Sequence, residues 1–390
     1  MYKIKEWRGF DLTHRYAKFE KALARERVSD AAELPIVAYC PSYFCSGTNR
    51  PPSYFTDPEV MLRIQADGAQ RHLELVDDDF IPYFMPWFGT GVLASAFGCG
   101  YRYPTGPNAD PAVTSCAVTR VEDIAKLKVP DPEKDAEMSR VLRCIDYVVK
   151  SGEMPVGLSD MNSPLSTAAQ ICGYDRFFMW LYDEPDAIHE LMEKTCEAFV
   201  RWTKIQKEHI GEPLDGSNGL QGLWAPKGLG VWLSDDDLVS ISADHYEEFV
   251  APHYSRFFKE FGGASIHFCG KAPHQIKGLA QVENCVEINN SPMGGFDEFA
   301  QILDAFQGKK LIGIQDTAPE DPEAYYAELF SRMHSLDGLA MILWVSRYHA
   351  LNLQGGTINL ERDEFETANR VVRAIRSEAK KVLARAAGIG

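Results

Sequence analysis

The chain has 390 residues, with 40 Lys plus Arg against 56 Asp plus Glu; a formal charge of −16 repels phosphate backbones and anionic lipid and excludes nucleic-acid and membrane-surface roles. Hydrophobic residues make up 45% and charged residues 25%, the balance of a globular protein with ample material for a large core. The start, MYKIKEWRGFDLTHRY, carries charges where a signal peptide needs an apolar stretch, and no uncharged run reaches the roughly 18–20 residues of a spanning helix, so a cytoplasmic protein is expected.

In chain order, residues 1–33 read as an N-terminal helical extension, followed by an apolar run at LPIVAYC (34–40). FIPYFMPWF (80–88) is the second such run. The Pro- and Gly-rich, aromatic-seeded segment GYRYPTGPNADPAVTSCAV marks an excursion at about 97–120, read as a small hairpin over one end. Further strand candidates are PVGLSDMN (155–162), GVWLSDDD (230–237), ASIHFC (264–269), CVEINN (285–290), KLIGIQD (310–316) and LAMILWVS (339–346). These continuous apolar runs, ending in polar groups and turn formers, have the character of parallel strands buried on both faces. Helices lie between them. In DAIHELMEKTCEAFVRWTKIQKE, Ile188, Leu191, Met192, Thr195, Phe199, Trp202 and Ile205 form one apolar stripe at three- and four-residue spacing. HYEEFVAPHYSRFFKEFGG is predicted as a helix stopping at Gly262-Gly263. DPEAYYAELFSRMHS precedes the last strand. The final helix, from Leu360, is acidic at its start and basic at its end, matching the helix dipole.

Eight strands with interleaved helices predict an α/β fold, a (β/α)8 TIM barrel forming a single domain over 1–390. An open doubly wound sheet is the alternative, but no Gly-x-Gly-x-x-Gly follows an early strand. Nine scattered cysteines, without a Cys-x-x-Cys, argue for buried thiols rather than a disulfide framework.

In a barrel, residues at the carboxyl ends of strands converge on one mouth. His267 and Cys269 stand two apart on a strand and so share a face. Imidazole nitrogen and thiolate sulfur are preferred zinc ligands, and a catalytic site needs three protein ligands plus an open position. The plain alternative is a hydrogen-bonded histidine beside a buried cysteine. Asp235, Asp236 and Asp237 follow the fourth strand; three adjacent carboxylates cannot all be buried, and they serve either the site or the start of the next helix. Asp160 and Asn162 end the third strand, and Glu287, Asn289 and Asn290 the sixth. Asp316 ends the seventh, where it either faces the site or caps a helix beginning near Pro319. Arg347, after the eighth strand, could grip a carboxylate bidentately or pair with a nearby acid. Tyr43, Phe44, Trp87, Phe88, Trp224 and Trp232 are core residues or walls of an apolar pocket. GLWAPKGLG (222–230) lacks the Gly-Lys-Ser/Thr ending of a phosphate loop.

YFTDPEVMLRIQADG, FGTGVLASAFGCGYRY, VEDIAKLKVPDPEKD, NSPLSTAAQICGYDRFFMWLYDEPDAIHELMEK, ISADHYEEFVAPHYSRFF and IHFCGKA, in this order and spacing over about residues 55–376, resemble the uroporphyrinogen decarboxylase superfamily. That superfamily includes zinc-dependent methyltransferases serving corrinoid proteins. The resemblance implies the (β/α)8 fold and a family habit of dimerising. The decarboxylase branch carries Arg-Gln-Ala-Gly-Arg after its first strand; this chain has YCPSYFCSGTNRPPSYF there, which speaks against porphyrin decarboxylation. The methyltransferase branch uses a His-x-Cys pair on the fifth strand as zinc ligands, matched by His267 and Cys269. Its further cysteine after the eighth strand is missing from WVSRYHALNLQGG, so a third ligand is sought among Asp236, Glu287 and His349, with Glu287 taken into the expected metal set.

The resemblance therefore implies a methyltransferase moving a methyl group between a small methylated or methoxylated compound and a corrinoid protein or thiol. Corrinoid would reside only on a separate partner. In this reading Asp236, Asp160 and Asp316 are catalytic, and Asn162, Trp232, Asn289 and Arg347 bind substrate. The alternatives are a metal-free decarboxylase, in which Asp160, Asp236 or Asp316 stabilise a cationic intermediate, and a non-catalytic ligand- or corrinoid-binding barrel.

Overall fold

Strands without polar alternation must be covered on both faces, and the chain meets this demand by closing its sheet into a ring. The computed structural model describes residues 3–40, 50–106, 109–218 and 224–388. Six strands pair in parallel: β1 (Ile36–Tyr39), β2 (Val231–Ser234), β3 (Ala264–Cys269), β4 (Cys285–Ser291), β5 (Leu311–Thr317) and β6 (Leu339–Trp344), in the order β1-β6-β5-β4-β3-β2.

The predicted second and third strands occupy the gap between β2 and β1 without becoming regular strands. Asn162 bridges Ser234 in parallel, and Phe84 bridges Val156. The Asp79 N–H donates to the Ile36 carbonyl at 2.7 Å and closes the ring. Pro82, Pro86 and Pro155 have no N–H to give a ladder, which explains the irregularity. Buried side chains supply the missing pairing. Asp78 Oδ2 accepts from Ala38 N at 2.8 Å, and Asp79 Oδ2 from Ile36 N at 3.0 Å. Gln65 bonds both the N–H and the carbonyl of Met85, and Gln206 Oε1 accepts from Ser159 N. The molecule is thus an eight-staved parallel α/β barrel, as expected.

The helices follow their sequence signals with two differences. The striped helix runs Pro185–Ile210, starting on its proline and ending at Gly211 with φ 75°, and it buries Ile188, Leu191, Met192, Thr195, Phe199 and Trp202. The last helix, Glu364–Ala386, is capped by Asp363. The helix expected ahead of β3 is broken into Ala243–Phe249 and Ala251–Phe258, because Pro252 cannot continue the ladder. The helix before β6, Pro322–Ser331, is capped by Asp321 and not by Asp316.

Residues 3–33 hold a two-stranded hairpin, Glu6–Trp7 with Phe10–Asp11, a helix Thr13–Leu23 and a 3-10 turn Ala31–Glu33. They lie against the amino ends of the staves: Trp7 Nε1 donates to the Glu153 carbonyl, and Tyr16 packs edge-on to Trp224 at 4.7 Å. The excursion forms a hairpin of Gly100–Arg102 with Ala112–Ser115. Among the described residues no helix is long and apolar enough to cross a membrane.

Candidate functional site

In a parallel sheet, laterally paired residues point to the same side, so the register sorts the inward-facing side chains into layers. One layer runs Ser234, His267, Asn289, Gly313, and the layer below it runs Trp232, Ser265, Glu287. The upper layer continues to Ala340 and the lower to Leu311, and each carries polar side chains where a barrel core is ordinarily Val, Ile and Leu.

His267 and Cys269 both face inward at the carboxyl end of β3, with Cys269 Sγ 3.4 Å from His267 Nε2. Asp236 turns back toward them from the 3-10 turn Asp236–Ser240 after β2. Its Oδ1 accepts the Cys269 backbone N–H at 2.7 Å and lies 3.9 Å from His267 Nε2; its Oδ2 accepts from Ser234 Oγ at 3.1 Å. One ligand atom from each of Asp236, His267 and Cys269 therefore lies within 4.8 Å of the others. Atoms bound to a tetrahedral ion at about 2.0–2.3 Å stand roughly 3.3–3.8 Å apart, so the spacing fits an ion with small side-chain adjustments. One nitrogen, one sulfur and one carboxylate oxygen, with one position open, is a donor set suited to zinc.

The imidazole is prepared for that task. His267 is buried, which lowers its pKa and keeps it neutral despite the opposing pull of Asp236. Its Nδ1 lies 2.6 Å from Asn289 Oδ1, an atom that can only accept, so Nδ1 carries the proton and Nε2 presents a lone pair to the mouth. Trp232 stacks on the ring at 5.3 Å and 22°. The Cys269 side chain reaches solvent at the rim, but the protein packed around its sulfur, and then the Asp236 carboxylate, push the thiol up to about 12.

The three consecutive aspartates separate by role. Asp235 is fully buried, accepts from Ser163 Oγ, from Tyr254 Oη at 3.0 Å and from Tyr246 Oη at 3.4 Å, and is raised to about 7 by burial. Its N–H donates to the His267 carbonyl at 2.7 Å, tying β2 to β3 beneath the site. Asp236 faces the mouth. Burial raises Asp237, and a hydrogen bond from Ser166 opposes the shift. Asp160 is buried at the end of the third stave and raised to about 7 by burial and then by Asp236. The Asn162 N–H supports its carboxylate, while Asp160 Oδ1 and Asn162 Nδ2 have no hydrogen-bond partner among the described residues.

Several expected residues stand elsewhere. Glu287 does not join the donor group; it lies one layer below, where Oε1 accepts from Asn289 Nδ2 at 3.4 Å. Asp236 takes the third place in the candidate donor group because the turn after β2 folds over β3, a proximity that separation along the chain conceals. Asp316 is taken up by Ser291 Oγ, Tyr325 Oη and the N–H groups of Met293 and Thr317, so it ties the loops after β4 and β5. Arg347 is exposed and paired with Glu361 at 3.0 Å, apart from the donor group. His349 is exposed against Asn359. Trp87 donates to Asp110 from the excursion, and Phe88 is core. Tyr43, Phe44 and Cys45 lie outside the described residues, as do positions 222 and 223 of the glycine-rich stretch. Sequence reasoning missed Asp235 as an anchor, and it missed Gly313, whose signal is a glycine interrupting the buried run LIGIQD.

Comparison with known proteins places the chain among relatives of two kinds. The family described as uroporphyrinogen decarboxylase (URO-D) matches residues 17–212. A methylated-thiol–coenzyme M methyltransferase of Methanosarcina mazei is 28% identical over 204 residues, 50% of this chain and 49% of that protein. A uroporphyrinogen decarboxylase of Carboxydothermus hydrogenoformans is 26% identical over 195 residues, 47% of this chain and 49% of that one. The chain spans about half the length of these curated relatives. A solved methyltransferase from Methanosarcina mazei superposes with a TM-score of 0.62, covering 93% of this chain and 98% of that one at 16% identity, which speaks to fold alone.

Proposed function

Because the chain belongs to the uroporphyrinogen decarboxylase family, we propose that it is a methyltransferase taking a methyl group from a small methylated or methoxylated compound, using zinc held by Asp236, His267 and Cys269. The acceptor is a corrinoid protein or a thiol, with the corrinoid carried by a separate partner. The observation that carries this reading is the convergence of one oxygen, one nitrogen and one sulfur donor at the mouth. The methyltransferase from Methanosarcina mazei among its relatives supports it. So does the sequence after the first strand, which lacks the Arg-Gln-Ala-Gly-Arg stretch of the decarboxylase branch.

An ion at this site supplies Lewis acidity, which lowers the pKa of a bound thiol or draws charge from a departing heteroatom, and a set with only one thiolate leaves that acidity strong. The protein supplies the rest. Asn289 and Trp232 hold the His267 ring. Asp236 anchors the end of β3 through the Cys269 N–H while facing the donor group. Asp160, buried and titrating near neutrality with an unpartnered oxygen, gives a proton to the heteroatom that loses its methyl group. Asn162 Nδ2 donates to the same compound.

Metal analysis of protein purified without chelator tests the reading. The wild type should carry close to one zinc per chain, with Cys269→Ala and His267→Ala strongly depleted. A wild-type content below about 0.2 per chain would sink it, because an open catalytic site depends on its metal. Full activity in the double variant would favour the metal-free lyase instead.

A further inference from the structure

We infer that Glu287 and Asn289 form a positioning relay for His267, and that Gly313 is a glycine in order to leave that relay its space. The inference rests on the proposed donor group only where zinc is the readout; the tautomer of His267 can be read without it.

The relay lies in two successive inward layers. Asn289 pairs laterally with His267 on β3 and with Gly313 on β5, while Glu287 sits beneath it on β4. The Asn289 amide is used at both ends: Oδ1 receives the His267 Nδ1–H at 2.6 Å, and Nδ2 donates to Glu287 Oε1 at 3.4 Å. This orientation is held from below by the unprotonated Glu287 carboxylate, since a flipped amide would set two acceptors, Oδ1 and Glu287 Oε1, against each other; at the imidazole the flip would turn Nδ2 toward Nδ1 and reverse the tautomer. Glu287 therefore orients the asparagine, and the asparagine selects the histidine tautomer.

Gly313 completes the device from a third strand. A Cβ there would lie 2.3 Å from Glu287 Oε1 and 2.5 Å from Asn289 Nδ2, closer than real contacts allow. Gly313 has no side chain of its own to offer the site. A glycine inside a buried strand weakens it, so its presence calls for a compensating use, and here the use is clearance for two polar side chains. Glu287 is fully buried and burial lifts it to about 7, so near neutrality it accepts from Asn289 without bringing a full charge beneath the site. Trp232 closes the face of the imidazole that the relay does not reach.

The decisive experiment combines histidine-selective 15N NMR on the metal-free protein with zinc affinity measured against a chromophoric chelator. In the wild type His267 should be the neutral Nδ1–H tautomer. Asn289→Leu should lose that preference and weaken zinc binding about 10–100-fold, the range found when an outer partner of a ligating histidine is removed. Asn289→Asp, which keeps an acceptor for Nδ1–H, should retain the tautomer and most of the affinity. Gly313→Ala, which removes no donor, should weaken zinc binding in the same direction, and it serves if Asn289→Leu fails to fold. An Nε2–H tautomer in the wild type, or zinc affinity within twofold of wild type in both Asn289→Leu and Gly313→Ala, would overturn the inference. If His267→Ala and Cys269→Ala bind zinc as the wild type does, it is the metal reading that fails, and the tautomer result still decides the relay.

Discussion

Asp236 Oδ1 accepts the backbone N–H of Cys269 at 2.7 Å and stands 3.9 Å from His267 Nε2, so one carboxylate oxygen both anchors the end of β3 and faces the donor group. The two roles can be separated. Asp236→Asn keeps an oxygen for the N–H but removes the negative charge a zinc ligand should supply. The expected result is a melting temperature within about 2 °C of wild type, surface changes usually costing under about 0.5 kcal/mol, with zinc affinity reduced at least about tenfold. Unchanged affinity would assign Asp236 to the loop alone.

Metal uptake should release a proton. The free Cys269 thiol is held at about 12, so it is protonated at neutral pH and must ionise to bind an ion. His267, lowered by burial, is already neutral and contributes none. Calorimetric titration with zinc at pH 7.5, in buffers of different ionisation enthalpy, should give close to one proton released per ion. Apparent affinity should then weaken about tenfold for each pH unit lost. Release near zero would show that the sulfur is not a ligand.

How far these features were legible depends on whether they are local. His267 and Cys269 could be paired from sequence because a strand puts residues two apart on one face, and the parallel strands could be found because burial on both faces leaves a continuous apolar run. The irregular second and third staves were not visible, since their pairing comes from Asp78, Asp79, Gln65 and Gln206, side chains far from the segments they complete. The third member of the donor group stayed open among Asp236, Glu287 and His349, with Glu287 preferred, for a similar reason. Asp236 and Glu287 are both acids near strand ends, and only the fold of the turn after β2 decides between them. Arg347 and Asp316 had the right chemistry at the right end of their strands, but a neighbouring glutamate holds the first and four donors saturate the second.

The buried anchor Asp235 gives a pH-dependent stability of predictable sign. Burial lifts its carboxyl to about 7, above its ordinary 3.8, so between those values the native chain holds a proton that the unfolded chain has released. Its contribution to stability is full below about pH 4 and is lost as pH rises through about 7. Asp235→Asn is neutral throughout and keeps an oxygen for Ser163 and Tyr254. The melting temperature of this variant, relative to wild type, should therefore climb between pH 4 and pH 8, by an amount reaching up to about 4 kcal/mol in free energy. A difference independent of pH would mean that Asp235 is ionised in the folded protein.

Removing the metal should leave the barrel folded. The donor group sits on strand ends held by a core that runs through all eight staves, and Asp235, Asp316 and the Asp78–Asp79 pair join those strands without any ion. Zinc therefore stabilises by mass action and not by building the fold. At a free concentration one hundred times its dissociation constant it adds about 2.7 kcal/mol. For a chain of 390 residues, an unfolding entropy of about 2.1 cal/mol/K per residue converts this into a melting shift of about 3 °C. Differential scanning calorimetry of the zinc-loaded and chelator-treated protein should show that small shift, with far-ultraviolet circular dichroism unchanged and methyl transfer abolished. Collapse of the helical signal on chelation would mean that the ion organises the barrel itself, and the picture of a preformed mouth would have to be abandoned.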